Sequence, residues 1–571
     1  MVHLSKVEKP AGSDSQSSTT QGSTTQGSTT QGVAKAASSM DEFTTSVYGS
    51  RFASEDLPRD KMPEHQMPRE VAYRMIKDEL SLDNNPMLNL ASFVTTYMED
   101  EAEKLMTESL SKNFIDYEEY PQTADMQSRC VNMIGDLFHA PGDSAVGTSS
   151  VGSSEAIMLA VLAMKRRWRQ QRAAAGKAFD KPNLIMSSAV QVCWEKATRY
   201  FEIEERFVYC TPSRFVIDAK QVADSCDENT IGCVCILGTT YTGHYEDVKA
   251  VGAELDARGL DVVIHVDAAS GGFVAPFVKP ELEWDFRCSR VVSINVSGHK
   301  YGLVYPGVGW VIWRAAEYLP QDLVFNIDYL GAQQSSFTLN FSKGASQVIG
   351  QYYQLIRLGR HGYQSIMSNL THTADYLAAK LQEIGFVIMS EREGRGLPLV
   401  AFRLPGPKDD DDDDDAKTSN DDDAKTSNAT TSKKDGGDNK TSNDSSPQNV
   451  HLAPSSDRHF DEFALAHTLR ARGWVVPAYT MAPNTNRLKM LRVVVREDFS
   501  RSRCDMLIQD FKSCIALLQQ SDRETVQRWN SYIKTHVTSG GRAHNARHKL
   551  HSYQHERHSL QGKTGKTHAP C

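Results

Sequence analysis

Long apolar runs are missing from this chain of 571 residues. No stretch of about 18 apolar residues is present that could cross a bilayer. The polar N-terminus also lacks the apolar core of a signal peptide. The ten cysteines are scattered, without zinc-site spacing or a dense disulfide framework. We therefore expect a cytoplasmic protein with reduced, buried thiols, no membrane contact and no bound metal.

A basic face is also missing from the body of the chain. The net charge is -9, and the acidic excess is concentrated in residues 409–415 and 421–423, whereas residues 540–571 lean basic. A protein that binds nucleic acid needs a basic face on its folded part. The sequence therefore argues against nucleic acid as a partner.

The middle third of the chain alternates helical patterns with short apolar runs. Residues 230–237, 261–266 and 291–296 predict buried strands. Strands that are apolar on both faces and flanked by helices are typical of a parallel sheet covered on both sides. The predicted fold class is therefore α/β, with a mostly parallel central sheet.

Lys300 follows the third of these strands, directly after Ser297, Gly298 and His299. In open α/β sheets, ligands bind beyond the carboxyl ends of the strands. A lysine amine at such a place can form a Schiff base with an aldehyde cofactor. The alternative is an ordinary surface lysine.

Asp267 follows the preceding strand and is itself followed by small residues. A carboxylate that faces a pyridine nitrogen keeps that nitrogen protonated, and a protonated pyridine ring is an electron sink. The alternative is a helix cap, because Asp is common before helices. The pairing with Lys300 after the next strand makes the cofactor interpretation more specific.

Ser153 and Ser154 lie between a segment of glycines and hydroxyl residues, 147–152, and an apolar helix predicted at 156–164. The open N–H groups of a first helical turn, together with the helix dipole, suit a phosphate group. The alternative is that one of these serines is a plain N-cap.

Together with further segments, these residues closely resemble the glutamate decarboxylases, which are group II pyridoxal-phosphate decarboxylases of fold type I. The resemblance runs from about residue 51 to about residue 518 and is broken at 406–450. The most characteristic segments are residues 112–122, 129–133, 190–196, 240–243, 268–273, 325–331 and 472–477.

The resemblance implies a binding site for pyridoxal 5'-phosphate. Lys300 would carry the cofactor as a Schiff base, and Asp267 would pair with its ring nitrogen. The other implied contacts are Ala269, Gln191 and Thr240 at the ring, Ser153, Ser154, Ser297 and His299 at the phosphate, and Ser342 at the phosphate from a neighbouring subunit.

The resemblance also implies L-glutamate as substrate, converted to 4-aminobutanoate and carbon dioxide. Arg492 would take the α-carboxylate, since a guanidinium fork suits that group; the alternative is a surface arginine. Ser92, Phe93, Asn113 and Asp116 would meet the side-chain carboxylate. Bacterial members usually have threonine in place of Ser92, so we expect recognition with slightly looser packing. Because two carboxylates can share one proton, Asp116 beside the substrate predicts faster turnover at mildly acidic pH.

Two other functions are considered. Another group II enzyme, such as an aromatic-amino-acid decarboxylase or a sphingosine-phosphate lyase, would act on a different substrate, but residues 113–116 argue against both. A non-enzymatic regulatory protein on the same fold is the second alternative, but every cofactor position that can be matched is present.

Expected partners are a second copy, in a dimer or a dimer-based hexamer, and calmodulin. Plant members bind calmodulin through a C-terminal helix, and residues 526–537 around Trp529 resemble one, with a packing helix as the alternative.

The predicted organisation has six parts. They are a disordered low-complexity N-terminus (1–45), an N-terminal helical segment (46–100), a large cofactor-binding domain (101–355), a small C-terminal α/β domain (356–405 and 451–520), an acidic disordered insertion (406–450), and a tail that is mostly disordered (521–571).

Overall fold

The computed structural model describes residues 57–142, 145–327, 334–406 and 450–532. The described residues fall into two compact units, one that contains residues 57–83 and one that contains the described residues from 84 onward. The segment predicted to be disordered at 1–45 lies outside the described residues, as do residues 407–449 of the insertion predicted at 406–450 and the tail beyond residue 532.

The first unit contains helix α1 (Arg69–Leu80). The helix starts directly after Pro68, with Glu70 in its first turn and Lys77 in its last. Acidic residues near the start of a helix and basic residues near its end complement the helix dipole. This helix lies within the segment 46–100 that the sequence predicts to be helical.

The second unit is built on a seven-stranded sheet. Its strands are β1 (Val146–Ser150), β2 (Asn183–Ser187), β3 (Glu204–Val208), β4 (Thr230–Ile236), β5 (Ile264–Asp267), β6 (Val291–Ser297) and β7 (Gly309–Trp313). The spatial order is β1-β7-β6-β5-β4-β2-β3. The five strands from β3 to β6 in this order are parallel, and β7 is antiparallel to both β6 and β1. The predicted mostly parallel sheet is confirmed, although the strand expected at 261–266 starts at Ile264.

Helices cover both faces of this sheet, which explains why β4 and β6 are buried at every position. Leu184 and Met186 of β2 pack with residues of one face, whereas Ile185 between them packs into the core on the other. The helices that precede or connect these strands are α2 (Asp100–Glu108), α3 (Pro121–Leu137), α4 (Ser153–Ala174), α5 (Val192–Tyr200), α6 (Ala219–Asp224), α7 (Val248–Ala257) and α8 (Ala275–Val278).

The remaining elements form a hairpin and a second sheet. The hairpin is β8 (Phe325–Ile327) with β9 (Gln334–Ser336), and the sheet has the antiparallel order β10-β11-β13-β12. Its strands are β10 (Val387–Ile388), β11 (Leu399–Arg403), β12 (Ala478–Thr480) and β13 (Lys489–Val494). The helices here are α9 (Ser346–Ile384), α10 (Glu462–Arg470), α11 (Arg501–Gln520) and α12 (Arg523–Tyr532).

The boundary predicted between a large and a small domain falls within α9, just before Gly359, where the backbone leaves helical geometry with φ 58°. One hydrophobic core runs through residues on both sides of this position. The domain boundaries therefore stay a prediction. The tail predicted to be mostly disordered begins with the helix α12.

None of the described helices combines the length and the apolar character that a membrane-spanning segment requires.

Candidate active site

A cavity of about 350 Å³ lies where several strands of the central sheet reach their carboxyl ends. This is the edge at which open α/β sheets bind ligands, and the volume falls within the usual range for ligand sites. The predicted site residues that line it are Phe93, Ser153, Ser154, Gln191, Thr240, Asp267, Ala269, Ser297, His299 and Lys300.

Lys300 is only partly exposed and lies in the turn after β6. Its Nζ donates to Ser270 Oγ at 3.3 Å and lies 5.4 Å from the centre of the Phe93 ring. The backbone of this turn is fixed by Thr95, whose hydroxyl donates to the Lys300 carbonyl at 2.7 Å. Lys300 is therefore an amine directed into a cavity and not an ordinary surface lysine.

Asp267 is buried at the end of β5 and accepts three hydrogen bonds. Trp194 Nε1 donates to Oδ2 at 2.7 Å, while Asn295 Nδ2 and the backbone N–H of Ala269 donate to Oδ1 at 3.0 and 3.1 Å. Three donors and no acceptor favour an ionised carboxylate. The following 3-10 turn has Ser270 at its N-cap, so Asp267 is not the helix cap considered as its alternative.

The start of α4 forms a cradle of hydrogen-bond donors. Gly152 is the N-cap and neither serine caps the helix with its side chain, so the N–H groups of the first turn stay open. The hydroxyls of Ser153 and Ser297 lie 2.6 Å apart. A Cβ on Gly152 would come within 3.1 Å of His299 Cε1, so glycine permits the close approach of this turn to His299.

His299 completes this cradle. Its Nδ1 is buried without a hydrogen-bond partner among the described residues. Burial, with the nearby charge of Lys300, lowers the pKa of His299 to about 4, so the ring is neutral at physiological pH. An unpaired buried nitrogen is costly. Together with two hydroxyls and a helix N-terminus, it fits a phosphate group, and the amine of Lys300 and the carboxylate of Asp267 fit the ring of the predicted cofactor.

Gln191 and Thr240 line the cavity from two other elements. Gln191 is the N-cap of α5, where its side chain accepts from the Cys193 N–H at 2.6 Å. This cap fixes the start of the helix that carries Trp194. Thr240 lies in the turn after β4, and its carbonyl accepts from Arg492.

Arg492 is fully buried on β13, so the alternative of a surface arginine is wrong. Its terminal nitrogens donate to the carbonyls of Thr240 and of Ala91, the latter at 2.7 Å. Its guanidinium lies 4.8 Å from the Phe93 ring centre. Nε is buried without a partner among the described residues. Arg492 thus lies directly behind residues that line the cavity without lining it itself.

The remaining predicted residues do not line the cavity. The hydroxyl of Ser92 accepts from the Val94 N–H at 3.1 Å. Asn113 Oδ1 accepts from the Lys343 N–H at 2.9 Å, and Asn113 forms a β-bridge with Gly344. Asp116 accepts from the Glu119 N–H at 3.4 Å. Ser342, next to Lys343, is exposed. Asn113 and Ser342 therefore belong to one structural group outside the cavity of their own chain.

Sequence reasoning missed Glu155, which lines the cavity from the first turn of α4. Its carboxylate accepts from the Val151 N–H at 2.8 Å and from the N–H groups of Leu339 and Asn340 at 3.0 and 3.3 Å. It therefore joins the phosphate-type cradle to the segment that carries Ser342. An acidic residue in the first turn after the two serines was the available signal. Trp194 and Asn295 were missed as well, because only the fold brings them to Asp267.

Comparisons with known proteins agree with this geometry. Residues 63–405 match the family described as the pyridoxal-dependent decarboxylase conserved domain. A glutamate decarboxylase of Petunia hybrida is 48% identical over 85% of this chain and 88% of its own length. Glutamate decarboxylase 1 of Arabidopsis thaliana is 47% identical over 87% of this chain and 90% of its own.

A solved structure gives the same result. The glutamate decarboxylase of Lactobacillus brevis superposes with a TM-score of 0.72 at 40% sequence identity. The match covers 83% of this chain and 98% of that chain.

Proposed function

Because this chain belongs to the glutamate decarboxylase family of pyridoxal-dependent decarboxylases, we propose that it converts L-glutamate to 4-aminobutanoate and carbon dioxide. It is a pyridoxal-phosphate-dependent carboxy-lyase of fold type I. The observation that carries the proposal is the cavity shared by the Lys300 amine, the Asp267 carboxylate and the cradle of Ser153 and His299. When bound, the cofactor supplies a protonated ring that takes up the electron pair left by the departing carboxylate.

Different residues of this cavity would bind different parts of the cofactor. Lys300 Nζ would bind the aldehyde carbon covalently and release the product at the end of the cycle. The Asp267 carboxylate would hold a proton at the ring nitrogen. Ser153, Ser154 and His299 would donate to the phosphate, which the open end of α4 also favours.

Arg492 would orient the bond that breaks. Its Nε–H, which has no partner in the described part of the chain, and its contacts with Thr240 and Phe93 support binding of the α-carboxylate against this guanidinium. A bound carboxylate would give the buried Nε–H the acceptor it needs. Phe93, which lines the cavity beside Lys300, would exclude water from this region.

A second copy of the chain would supply the predicted cofactor and substrate contacts that do not line the cavity. Asn113 and Ser342 are joined through residues 343–344 and lie outside the cavity of their own chain. This arrangement supports a homo-oligomer, a dimer or a dimer-based hexamer, in which these residues and Asp116 serve a neighbouring cavity. Each site would then be assembled from two chains.

Mixing two inactive variants tests this shared site. Lys300→Ala and Asn113→Ala should each lose turnover of glutamate. Coexpressed in equal amounts, they should recover roughly a quarter of the wild-type activity, because half of the dimers are mixed and each mixed dimer holds one intact site. A mixture that stays inactive, although purification through a tag on one variant also recovers the other variant, would contradict a shared site.

The activity itself is tested by a glutamate decarboxylation assay with and without added pyridoxal phosphate. We expect carbon dioxide and 4-aminobutanoate in a one-to-one ratio, and no product from Lys300→Ala, whose bound-cofactor absorbance should also be lost. Aspartate and aromatic amino acids serve as the substrate panel. Faster turnover of one of these than of glutamate, or retained turnover in Lys300→Ala, would contradict the proposal.

A cytoplasmic location is proposed from the thiols. The nine cysteines in the described part of the chain are free, and burial raises the pKa of several of them, such as Cys288 and Cys514, each to about 11. Protonated, buried thiols suit a reducing compartment. Antibody labelling of fractionated cells would test the location, and recovery in an organelle fraction would contradict it.

Calmodulin is the less supported partner. In α12, Trp529 is 41% exposed, as a binding helix requires, but Val526 is buried as in a packing helix. Residues 533–537 of the predicted segment lie outside the described residues. A calcium-dependent pull-down of the full chain on calmodulin, lost in Trp529→Ala, would support this partner, and no capture would leave α12 as a packing helix.

A further inference from the structure

A polar layer lies beside Asp267 on one face of the central sheet. Alternate residues of a strand point to the same face, so His265 and Asp267 share a face of β5, and Ser293 and Asn295 share a face of β6. The two strands are paired in register, with His265 opposite Ser293 and Asp267 opposite Asn295. The register therefore brings four polar side chains together inside an otherwise apolar sheet.

These side chains form a continuous hydrogen-bonded chain that ends on Asp267. Ser293 Oγ lies 2.8 Å from His265 Nδ1, and His265 Nε2 lies 2.7 Å from Asn295 Oδ1. Asn295 Nδ2 donates to Asp267 Oδ1 at 3.0 Å. His265 and Asn295 are fully buried, and Trp194 packs edge-on against the His265 ring with 5.3 Å between the ring centres.

Only one set of donor and acceptor roles satisfies every member of this series of hydrogen bonds. An ionised Asp267 accepts only, so Asn295 must present its NH₂ group to it and its carbonyl oxygen to His265. His265 must then carry its proton on Nε2. Since burial lowers the pKa of His265 to about 4, the ring is neutral, and its Nδ1 accepts from the Ser293 hydroxyl. His265 thereby prevents the Asn295 amide from turning its oxygen toward Asp267.

We propose that Asn295, held by His265, is a positioning residue that keeps the Asp267 carboxylate aimed at the ring nitrogen of the cofactor. This inference rests on the proposed function. A carboxylate offers about four acceptor positions. Among the described residues, Oδ1 accepts from Asn295 and Ala269, and Oδ2 accepts from Trp194 alone. The remaining acceptor position is on Oδ2, and Asp267 lines the cavity.

The sheet contains a matched control at its opposite end. Asn183, at the amino end of β2, is also fully buried, donates to the Asp227 carboxylate at 2.8 Å and accepts from the Thr230 hydroxyl at 2.8 Å. It has the same kind of partners as Asn295 but does not line or support the cavity. Loss of either amide should destabilise the fold, whereas only Asn295 should affect Asp267.

The test compares Asn295→Leu with Asn183→Leu in the full-length chain. Apoprotein is titrated with pyridoxal phosphate and followed by visible absorbance, and kcat and KM are measured with glutamate. For Asn295→Leu we expect a weaker cofactor Kd and a lower kcat, each on the order of tenfold to a hundredfold, with KM little changed. For Asn183→Leu we expect a lower thermal midpoint with Kd and kcat within about twofold of wild type.

The role of His265 is tested in the same assays. His265→Leu should show part of the Asn295→Leu effect, and the double variant should be no worse than Asn295→Leu alone, because both changes act through one contact. His265→Gln keeps a donor toward Asn295 and should restore part of the cofactor affinity. Cofactor affinity and kcat unchanged in Asn295→Leu, or additive effects of the two changes, would overturn the proposal. Because the titration uses no substrate, it gives this answer even if the wild type binds the cofactor but does not decarboxylate glutamate.

Discussion

The residues predicted to bind the cofactor and those predicted to bind the distal carboxylate of the substrate are arranged differently within one chain. Lys300, Asp267 and Ser153 reach the same cavity because each lies at the edge of one parallel sheet or at the start of a helix that meets it. Of the residues predicted for the distal carboxylate, Phe93 lines that cavity, whereas Asn113 lies outside it together with Ser342, which is predicted to contact the cofactor phosphate of a neighbouring subunit. Parallel strands bring their ends together by topology alone, whereas loops far apart in sequence meet only through tertiary or subunit contacts.

The largest expected effect is on the cofactor side of this comparison. Asp267→Asn replaces the buried carboxylate by an amide of the same shape, which cannot hold a proton at the ring nitrogen. We expect kcat to fall on the order of a hundredfold or more, with weaker cofactor binding. Steady-state kinetics and cofactor titration would measure both. Asp227→Asn, at the opposite end of the sheet, is the control and should leave both values unchanged.

Asp116→Asn tests the substrate side. Because Asp116 is proposed to meet the distal carboxylate of the substrate and not the cofactor, cofactor affinity should not change. If this carboxylate shares a proton with the substrate, kcat/KM at mildly acidic pH should fall by about tenfold and the pH–rate profile should flatten. An unchanged profile, or a profile of the wild type that rises steadily above neutrality, would count against this role.

Gly152→Ala tests the cofactor-binding cradle through a steric change. The added Cβ would meet His299 Cε1 at 3.1 Å, so the ring would have to shift by a few tenths of an ångström within the cradle. We expect cofactor binding to weaken by about tenfold, or about 1.4 kcal/mol, with KM for glutamate unchanged. In Gly252→Ala the nearest atom to the new Cβ is 3.8 Å away, so this helix variant should bind the cofactor normally.

Glu246→Gln tests how a second buried carboxyl group, close to the sheet edge that carries Asp267, affects the pH dependence of stability. Glu246 accepts from the N–H groups of Ile236 and Ile217 at 2.7 and 3.1 Å, and burial raises its pKa to about 7. A raised pKa means that the folded protein binds the proton more tightly than the unfolded chain. This stabilisation is complete below about pH 4.5 and is lost as pH rises through 7.

The measurement is the free energy of unfolding in urea at pH 5 and pH 8. Wild type should lose about 2 kcal/mol more than Glu246→Gln between these values. Glu195, whose pKa burial raises to about 8, contributes with the same sign in both proteins, so only their difference is informative. Equal losses in the two proteins would show that Glu246 titrates normally.

The smallest effect is expected at Ser92, on the substrate side. Its hydroxyl already accepts from the Val94 N–H, and threonine keeps that hydroxyl while adding a methyl group. We expect Ser92→Thr to lower KM for glutamate by about twofold to threefold, as one buried methyl group allows, with kcat unchanged. Ser92→Ala, which removes the hydroxyl, should raise KM. A higher KM in Ser92→Thr would show that the site has no room for the methyl group.

The fold and the cofactor residues could be predicted because their signals are local. The buried strands were recognisable because apolar residues run without alternation through β4 and β6, which helices cover on both faces. Lys300, Asp267 and Ser153 follow strands or start a helix, so the edge they occupy is fixed once the sheet is parallel. The boundaries were less accurate, since the strand that ends at Asp267 starts three residues later than its apolar run.

Other members of the site had no local signal. Asn295 and His265 lie within strands whose sequence predicts only burial, and the register of β5 against β6 decides that they face Asp267. Trp194 and Glu155 lie on helices, and their partners are 73 and 184 residues away. Such pairs are specified by packing between elements, which no periodicity within one element can reveal.

The sequence by itself determined the α/β class, the edge of the sheet that binds a ligand and the lysine and aspartate at that edge, because strand polarity and chain order are local properties. Only the tertiary structure decided that His299 Nδ1 has no partner among the described residues, that Arg492 is buried behind Phe93 instead of exposed, and that Asn113 and Ser342 lie away from their own cavity. These outcomes depend on which side chains from distant segments are desolvated together, and the cost of burying a polar group without a partner is set by the whole fold.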